Sequence, residues 1–399
     1  MSALPQPIPL EEAQARLLAL ASSLPPEKLP AEEALGRYLS TPLNARRTQP
    51  SADLSAMDGY ALAGDGPWQV VGESRCGAPF TGEIAAGEAI RISTGAIVPT
   101  GSDRVLLQED AARDGAHLAL AGPNPPPGKH IRRCGFDFAQ GDALLPAGTR
   151  IDAPELALAI SAGHGRLDVR RRPAIAVLDS GDELAADPEN CAPGQLPASN
   201  GPMIAALAAQ VPCDIRRHGP VGDNMPALAA ALAQCDGVDV LVTSGGASVG
   251  DHDLIQPALE AWGAQIAFWR VAIRPGKPLL VATKGNTIVL GLPGNPVSAY
   301  VTAQLFLLPL LRTLSGAVEP LPRRAMLPLA CDLPPVGSRR IFLRATWDGG
   351  LVCPVSEQDS AALLALSRAD VLIERPEGSG EAKAGTDVPC ILLRNGAVA

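Results

Sequence analysis

Five ionisable side chains, Asp182, Glu183, Asp253, Arg274 and Lys277, sit in glycine-rich loops within one stretch of this 399-residue chain. Carboxylates of this kind can hold a divalent cation through oxygen and orient water, while the cations can hold phosphate or another oxyanion. The loops are Ser180-Gly-Asp-Glu183, Thr243-Ser-Gly-Gly-Ala-Ser-Val-Gly-Asp-His-Asp253, Arg274-Pro-Gly-Lys-Pro278 and Gly291-Leu-Pro-Gly-Asn-Pro-Val-Ser298. In the second, Gly245, Gly246 and Gly250 bare the backbone, Ser244 and Ser248 add hydroxyls, and the start of the next helix adds its positive dipole end. Asp251 reads equally well as a cap of that helix. Asp253, two residues further on, is harder to explain by capping and suits a metal. The third loop lacks the Gly-x-x-x-x-Gly-Lys-Ser/Thr spacing of a Walker A motif. Its prolines fix the backbone and aim Arg274 and Lys277, although charge in a surface turn is the plainer account. In the fourth, Pro293, Gly294, Asn295 and Ser298 build a rigid turn before a helix, and taken alone that turn is a cap. Convergence decides: four such loops on one sheet edge point to an anionic, phosphate-bearing ligand held with a divalent metal.

That edge needs a sheet. Between Arg172 and about Gly316 the pattern alternates strand and helix: strands at Ala174–Leu178, Cys213–Arg217, Val238–Val242, Leu279–Ala282 and Thr287–Leu290, with helices between them. Asn200-Gly-Pro202 starts a helix through Gln210, with Asn200 available to cap. Asp223 opens another, Ala227–Gln234, as functional carboxylate or N-cap; Leu254–Trp262 and Val297–Leu311 are helical. This predicts a doubly wound α/β sheet with ligands at the carboxyl ends of its strands. Upstream, Pro9–Leu20 and Ala31–Leu39 read as helices split by Pro25-Pro26, residues 60–150 as a small β-rich unit, and Pro154–Gly163 as helix. After Pro322, Arg340–Ala345 and Leu351–Val355 are placed to pair across Asp348-Gly-Gly350 in a small C-terminal β-barrel or sandwich.

Composition bounds the function. A hydrophobic share of 46% with 19% charged residues allows a substantial core, and 399 residues suggest roughly two to four domains. Aromatics at 3% and a net charge of −9 argue against a nucleic-acid-binding surface. No window reaches the roughly 18 uninterrupted apolar residues of a membrane span, and Glu11 and Glu12 are wrong for a signal peptide. The eight cysteines are scattered, with no Cys-x-x-Cys pair, and read as reduced thiols. A cytoplasmic protein is expected.

The loops, together with Ser55-Ala-Met-Asp-Gly-Tyr60 and Ser93-Thr-Gly-Ala96, closely resemble the molybdopterin molybdenumtransferases, the MoeA and gephyrin E-domain family, over about residues 7–395. The resemblance implies an elongated, multi-domain homodimer with a cleft completed by the partner subunit. The implied units are residues 1–47 with 141–171, an inserted β-rich unit at 48–140, a molybdopterin-binding α/β unit at 172–318 and a C-terminal barrel-like unit at 319–399. The implied reaction takes adenylylated molybdopterin and molybdate, cleaves the pyrophosphate bond with Mg²⁺, releases AMP and leaves molybdenum on the dithiolene. A molybdopterin adenylyltransferase is an implied partner. Carried over by motif, Asp58, Thr94, Asp137 of Arg133-Cys-Gly-Phe-Asp137, Glu183, Asp223 and Asp253 are functional positions, with Glu183, Asp223 and Asp253 on the metal and Lys277 on the anion. Asp58 beside Gly59 also reads as a turn residue. Arg270 and Arg274 stand where the family often has lysine, exchanging a compact ammonium for a planar fork. The segment Gln358–Asp370 follows the family's C-terminal pattern loosely and assigns Ser367 and Arg344 to the molybdate side. Two alternatives share the sheet unit: a pyrophosphatase or amidohydrolase of the competence-damage type, and a gephyrin-like binding scaffold. The Ser55–Tyr60 motif and flanking β units argue against the first, and the acidic set argues against the second.

Overall fold

The computed structural model describes residues 6–245 and 254–393. Helix Leu10–Ala19 opens the described chain. The expected second helix is one 3₁₀ turn, Ala31–Ala34, because Pro30 ends a strand just before it and Gly36, at φ +77°, turns the chain out just after it. The prolines at 25 and 26 lead into strand Pro26–Pro30, which pairs antiparallel with Arg166–Arg170. Between these lies a sheet in the order 104–107, 59–62, 88–92, 68–74, 117–120, 111–114, close to the strands read from sequence.

The α/β unit is a mixed sheet of β1 (Ala174–Ser180), β2 (Asp214–Val221), β3 (Val240–Ser244), β4 (Gln265–Arg270), β5 (Pro278–Lys284) and β6 (Thr287–Leu292). Its order is β2-β1-β3-β6-β5-β4, with β2, β1, β3 and β6 parallel and β5 antiparallel to both neighbours. Because β5 runs backwards, the loop entering it, Arg274–Pro278, lies at the edge where the other strands end. Period-two alternation sends Ile175, Val177, Val240, Val242, Leu279 and Val281 to one core and Ala176, Leu178, Leu241, Leu280 and Ala282 to the other. The first core is covered by α1 (Asn200–Ala208) and by the long helix Pro296–Leu314, and the second by α2 (Met225–Ala233) and α3 (Ile255–Ala261).

The long helix, α4 (Pro296–Leu314), is the one helix among the described residues long and apolar enough to cross a membrane, and 83% of its apolar window is buried inside the protein. It carries a π turn at Ala303–Leu307 just before Pro309. Pro309 has no N–H for the carbonyl four residues back, and the buried Gln14 amide donates to that Leu305 oxygen at 2.8 Å. This bond locks helix Leu10–Ala19 onto the sheet core, where Leu10, Ala13 and Leu17 are buried.

C-terminal strands β7 (Ala325–Pro328), β8 (Arg340–Trp347), β9 (Val352–Pro354), β10 (Val371–Arg375) and β11 (Asp387–Leu392) run in the order β8-β10-β11-β7, with β9 on β8. A bridge between Leu329 and Val352 closes the ring, giving the expected barrel. The β8–β9 turn is the one read from sequence: Asp348 Oδ1 accepts the Gly350 and Leu351 amides, both at 2.8 Å. Ile273–Arg274 joins this sheet parallel to β8 and ties the barrel to the sheet-edge loops.

Candidate active site

The carboxyl edge of the α/β sheet encloses a cavity of about 770 Å³. Glu183, Asp223, Ser244, Gly245, Pro293, Gly294, Asn295 and Ser298 all line it, so the convergence inferred from sequence is present. Gly246, Ser248, Gly250 and Asp253 lie outside the described residues. Gly245 is required: at φ +95° a Cβ there would sit 2.5 Å from the Ser180 carbonyl oxygen.

Each loop is held by its neighbours. Asp223 follows β2 but does not cap α2; Asn224 does, its Oδ1 accepting the Ala227 N–H at 2.9 Å. Asp223 is therefore left for the cavity. Its own N–H donates to Asp182 Oδ1 at 2.9 Å, which pins it beside the Ser180–Glu183 loop. Burial, then the charges of Asp182 and Glu183, raise the Asp223 pKa.

Asn200 is not a cap either. Its amide donates to Ser244 Oγ at 2.9 Å and to the Gly294 carbonyl at 2.6 Å, strapping the ends of β3 and β6 together. Asn295, at the cap position of α4, likewise makes no capping bond and donates to Ser360 Oγ at 2.9 Å. The Val297 N–H, an orphan of that helix end, donates to the Ser360 carbonyl at 3.0 Å. The barrel thus supplies the cap, and Ala361 and Leu363 complete the cavity wall.

Arg344 explains how that barrel loop is held, and it departs from the sequence expectation. It is 1% exposed and does not line the cavity. Its guanidinium donates to the Asp359 carbonyl at 2.8 Å and the Glu357 carbonyl at 3.0 Å, while Gln358 bonds both its N–H and its carbonyl. Arg344 is the post around which residues 357–360 wrap. Ser367 is exposed, donates to the Leu364 carbonyl at 2.9 Å and is also absent from the cavity lining. Arg270 ends β4, and Arg274 and Lys277 are exposed in the loop leading to Pro278, which does line the cavity.

Asp58 and Thr94 are brought together elsewhere, and Asp137, whose N–H donates to the Gln49 carbonyl, lies in the same β-rich unit. Asp58 Oδ1 accepts the Thr94 N–H at 2.8 Å, so Asp58 is more than a turn residue. Ser55 exchanges backbone bonds with the 95–96 turn, and Leu54–Ser55 pairs with Ile131–Arg132, which leads into the Arg133–Asp137 loop. All three residues are exposed, as are Met57, Ile97 and Phe136, the last at 73%. No residue lining the sheet-edge cavity comes from this unit.

Sequence reasoning missed Asn200 as a strap and missed Asp179, which is the last residue but one of β1, is 6% exposed and lines the cavity. The available signal was a carboxylate near the end of an otherwise apolar strand.

Comparison with known proteins agrees with this geometry. The chain matches family models described as "MoeA N-terminal region (domain I and II)" over residues 8–163, "Probable molybdopterin binding domain" over 176–313 and "MoeA C-terminal region (domain IV)" over 326–393. It is 36% identical to a molybdopterin molybdenumtransferase of Nostoc sp. over 304 residues, 72% of this chain and 69% of that one. It is 34% identical to the Haemophilus influenzae molybdopterin molybdenumtransferase over 314 residues, 77% of this chain and 78% of that one. The crystal structure of a molybdopterin biosynthesis MoeA protein from Pyrococcus horikosii superposes with a TM-score of 0.79 at 28% identity, covering 98% of this chain and 100% of that one. With a sheet-edge cavity, a β-rich unit apart from it and a closed barrel in one chain, the protein belongs to the molybdopterin molybdenumtransferase family, enzymes of molybdenum cofactor biosynthesis.

Proposed function

We propose that this enzyme transfers molybdenum from molybdate to adenylylated molybdopterin in a Mg²⁺-dependent reaction that releases AMP. The observation that carries this reading is the meeting of Glu183, Asp223, the Gly245 turn and the start of α4 around one cavity of substrate size. The Gly245 turn and the Ser298 hydroxyl at the start of α4 face the cavity and suit phosphate, and Arg274 and Lys277 stand at the same edge for the second anion. Glu183 and Asp223 orient water and substrate at the pyrophosphate bond.

Among the described residues no three His, Cys, Asp or Glu side chains group closely enough to hold a metal unaided. Two cavity carboxylates fit Mg²⁺ nonetheless, since that ion commonly takes one or two carboxylates and completes its shell with water and substrate phosphates. The Asp223 pKa is raised first by burial and then by the charges of Asp182 and Glu183, and a cation would relieve that repulsion. When bound, Mg²⁺ would offset phosphate charge as the bond breaks. Asp253 belongs to the same proposal through its motif.

Asp58, Thr94 and Asp137 have their place in this reading on the partner's cavity, in a homodimer with shared clefts. The chain is read as four units, 1–47 with 141–171, 48–140, 172–318 and 319–399, a division supported by separate apolar clusters in the inserted sheet, on one face of the α/β sheet and inside the barrel, while the cluster on the other sheet face also takes in Leu10 and Leu17 and the barrel's Phe342 and Leu372. A cytoplasmic setting and substrate supply by a molybdopterin adenylyltransferase complete the proposal. The test is AMP release from adenylylated molybdopterin with Mg²⁺ and molybdate. The wild type should release AMP, excess EDTA should stop it, and a Glu183→Ala/Asp223→Ala variant as fast as wild type would end the proposal.

A further inference from the structure

The role of Asp179 is not covered by the chemistry above. It stands one residue before the end of β1 at the cavity, and one oxygen, Oδ2, accepts the Gly201 N–H at 3.0 Å. The fit is close: a Cβ on Gly201 would lie 2.0 Å from Oδ2. The other oxygen, Oδ1, is buried and has no hydrogen-bond partner in the protein, and the buried hydroxyl of the next residue, Ser180, has none either.

A carboxylate is a costly way to bond one helix-start N–H. Asn or Ser would accept the same bond without a charge to desolvate, and a buried acceptor without a donor costs stability. Burial pushes Asp179 up to about 6, against the lowering effects of the Gly201 N–H and Arg217. At neutral pH its free oxygen is still mainly an anionic acceptor. It therefore suits a ligand that brings an N–H, and it repels phosphate and molybdate. On the substrate proposed above, the N–H donors are those of the heterocycles: the ring N–H and amino group of the pterin, and the amino group of adenine.

We propose that Asp179 is a specificity residue whose free oxygen accepts a hydrogen bond from an amino-heterocycle of the bound substrate, with the Ser180 hydroxyl beside it as second contact. This rests on the substrate reading above, but its test does not need turnover. The probes are neopterin and AMP, titrated separately into wild type, Asp179→Asn and Asp179→Ser. In Asp179→Asn the Gly201 N–H holds the amide oxygen, so the NH₂ group faces the ligand's donor. Binding of one probe should weaken about 10- to 100-fold while the other is unchanged. Loss for neopterin assigns the contact to the pterin, and loss for AMP assigns it to adenine. Asp179→Ser, too short to reach, should weaken the same probe. Both probes binding both variants as they bind wild type would overturn the proposal. If wild type binds a probe in this Asp179-dependent way but releases no AMP from the full substrate, the reaction reading fails and this site stands. Thermal melting separates a binding effect from misfolding, because Asp179→Asn removes a desolvated charge and should melt no lower than wild type at pH 7.5.

Discussion

The sheet-edge cavity and the patch around Asp58 and Thr94 both present carboxylates and are built in opposite ways. At the cavity the loops fix one another: Asp223 is held by Asp182, Ser244 and Gly294 by Asn200, and Asn295 and Val297 by Ser360. These loops hang from a sheet with apolar cores on both faces, so the arrangement is preorganised. In the patch Asp58 is oriented by one amide and the surroundings are exposed apolar side chains. On the proposed reading the first is one half of a site and the second is a surface that gains chemistry only when a partner faces it.

The largest effect that would break or sharpen this contrast is expected at the cavity. Glu183→Ala and Asp223→Ala should each lower kcat/KM for AMP release by about 10²–10³-fold with unchanged melting, since both side chains are exposed. Asp58→Ala should cost about 10²-fold, the scale of a misplaced group, and should also leave melting unchanged. If Asp58→Ala unfolded the protein, the patch would be structural after all.

Arg344→Met comes next and tests whether the barrel loop is part of the preorganisation. Losing two charged hydrogen bonds inside the barrel should cost about 2–4 kcal/mol in urea unfolding. Freeing residues 357–360 should raise KM severalfold while kcat stays near wild type. A lower kcat with unchanged stability would restore Arg344 as a direct substrate contact.

Much of this was legible in the sequence, for definable reasons. The near-continuous apolar runs Ala174–Leu178 and Val238–Val242, the second broken only by Asp239, encode a sheet buried on both faces, and glycine and proline mark the loops at its edge. Residues that look alike in sequence diverge where a third element intervenes. Asp223 and Asn224 are adjacent candidates for one cap, and only the fold decides that Asn224 takes it. Arg344 looked like an anion contact because nothing local shows that the Glu357 and Asp359 carbonyls close around it. Asn200 looked like a cap because its partners are 44 and 94 residues away. The Ala31–Leu39 helix failed for a local reason, Gly36, which helical periodicity alone underweighted.

A smaller effect is predicted for Asp182→Ala. It leaves the cavity's charge types in place but frees the Asp223 N–H, so kcat/KM should fall about tenfold and stability by about 1 kcal/mol. The smallest effect is a pH dependence of stability. The pKa of Asp179 in the fold, about 6, lies above its ordinary 3.8, so the native state holds that proton more tightly than the unfolded chain does. Its contribution is present below pH 4 and is lost as pH rises through about 6. The melting temperature of Asp179→Asn relative to wild type should therefore be higher at pH 7.5 than at pH 5, and equal differences at both would contradict the assignment.

The central claim, that one chain carries two halves of a site that meet across a dimer, is tested most directly by mixing two inactive variants. Glu183→Ala and Asp58→Ala, co-expressed and purified together, form mixed dimers in which one cleft has both defects and the other has none. Statistical pairing of two-fold dimers then restores about a quarter of wild-type AMP release. A mixed preparation as inactive as either variant alone would contradict the account.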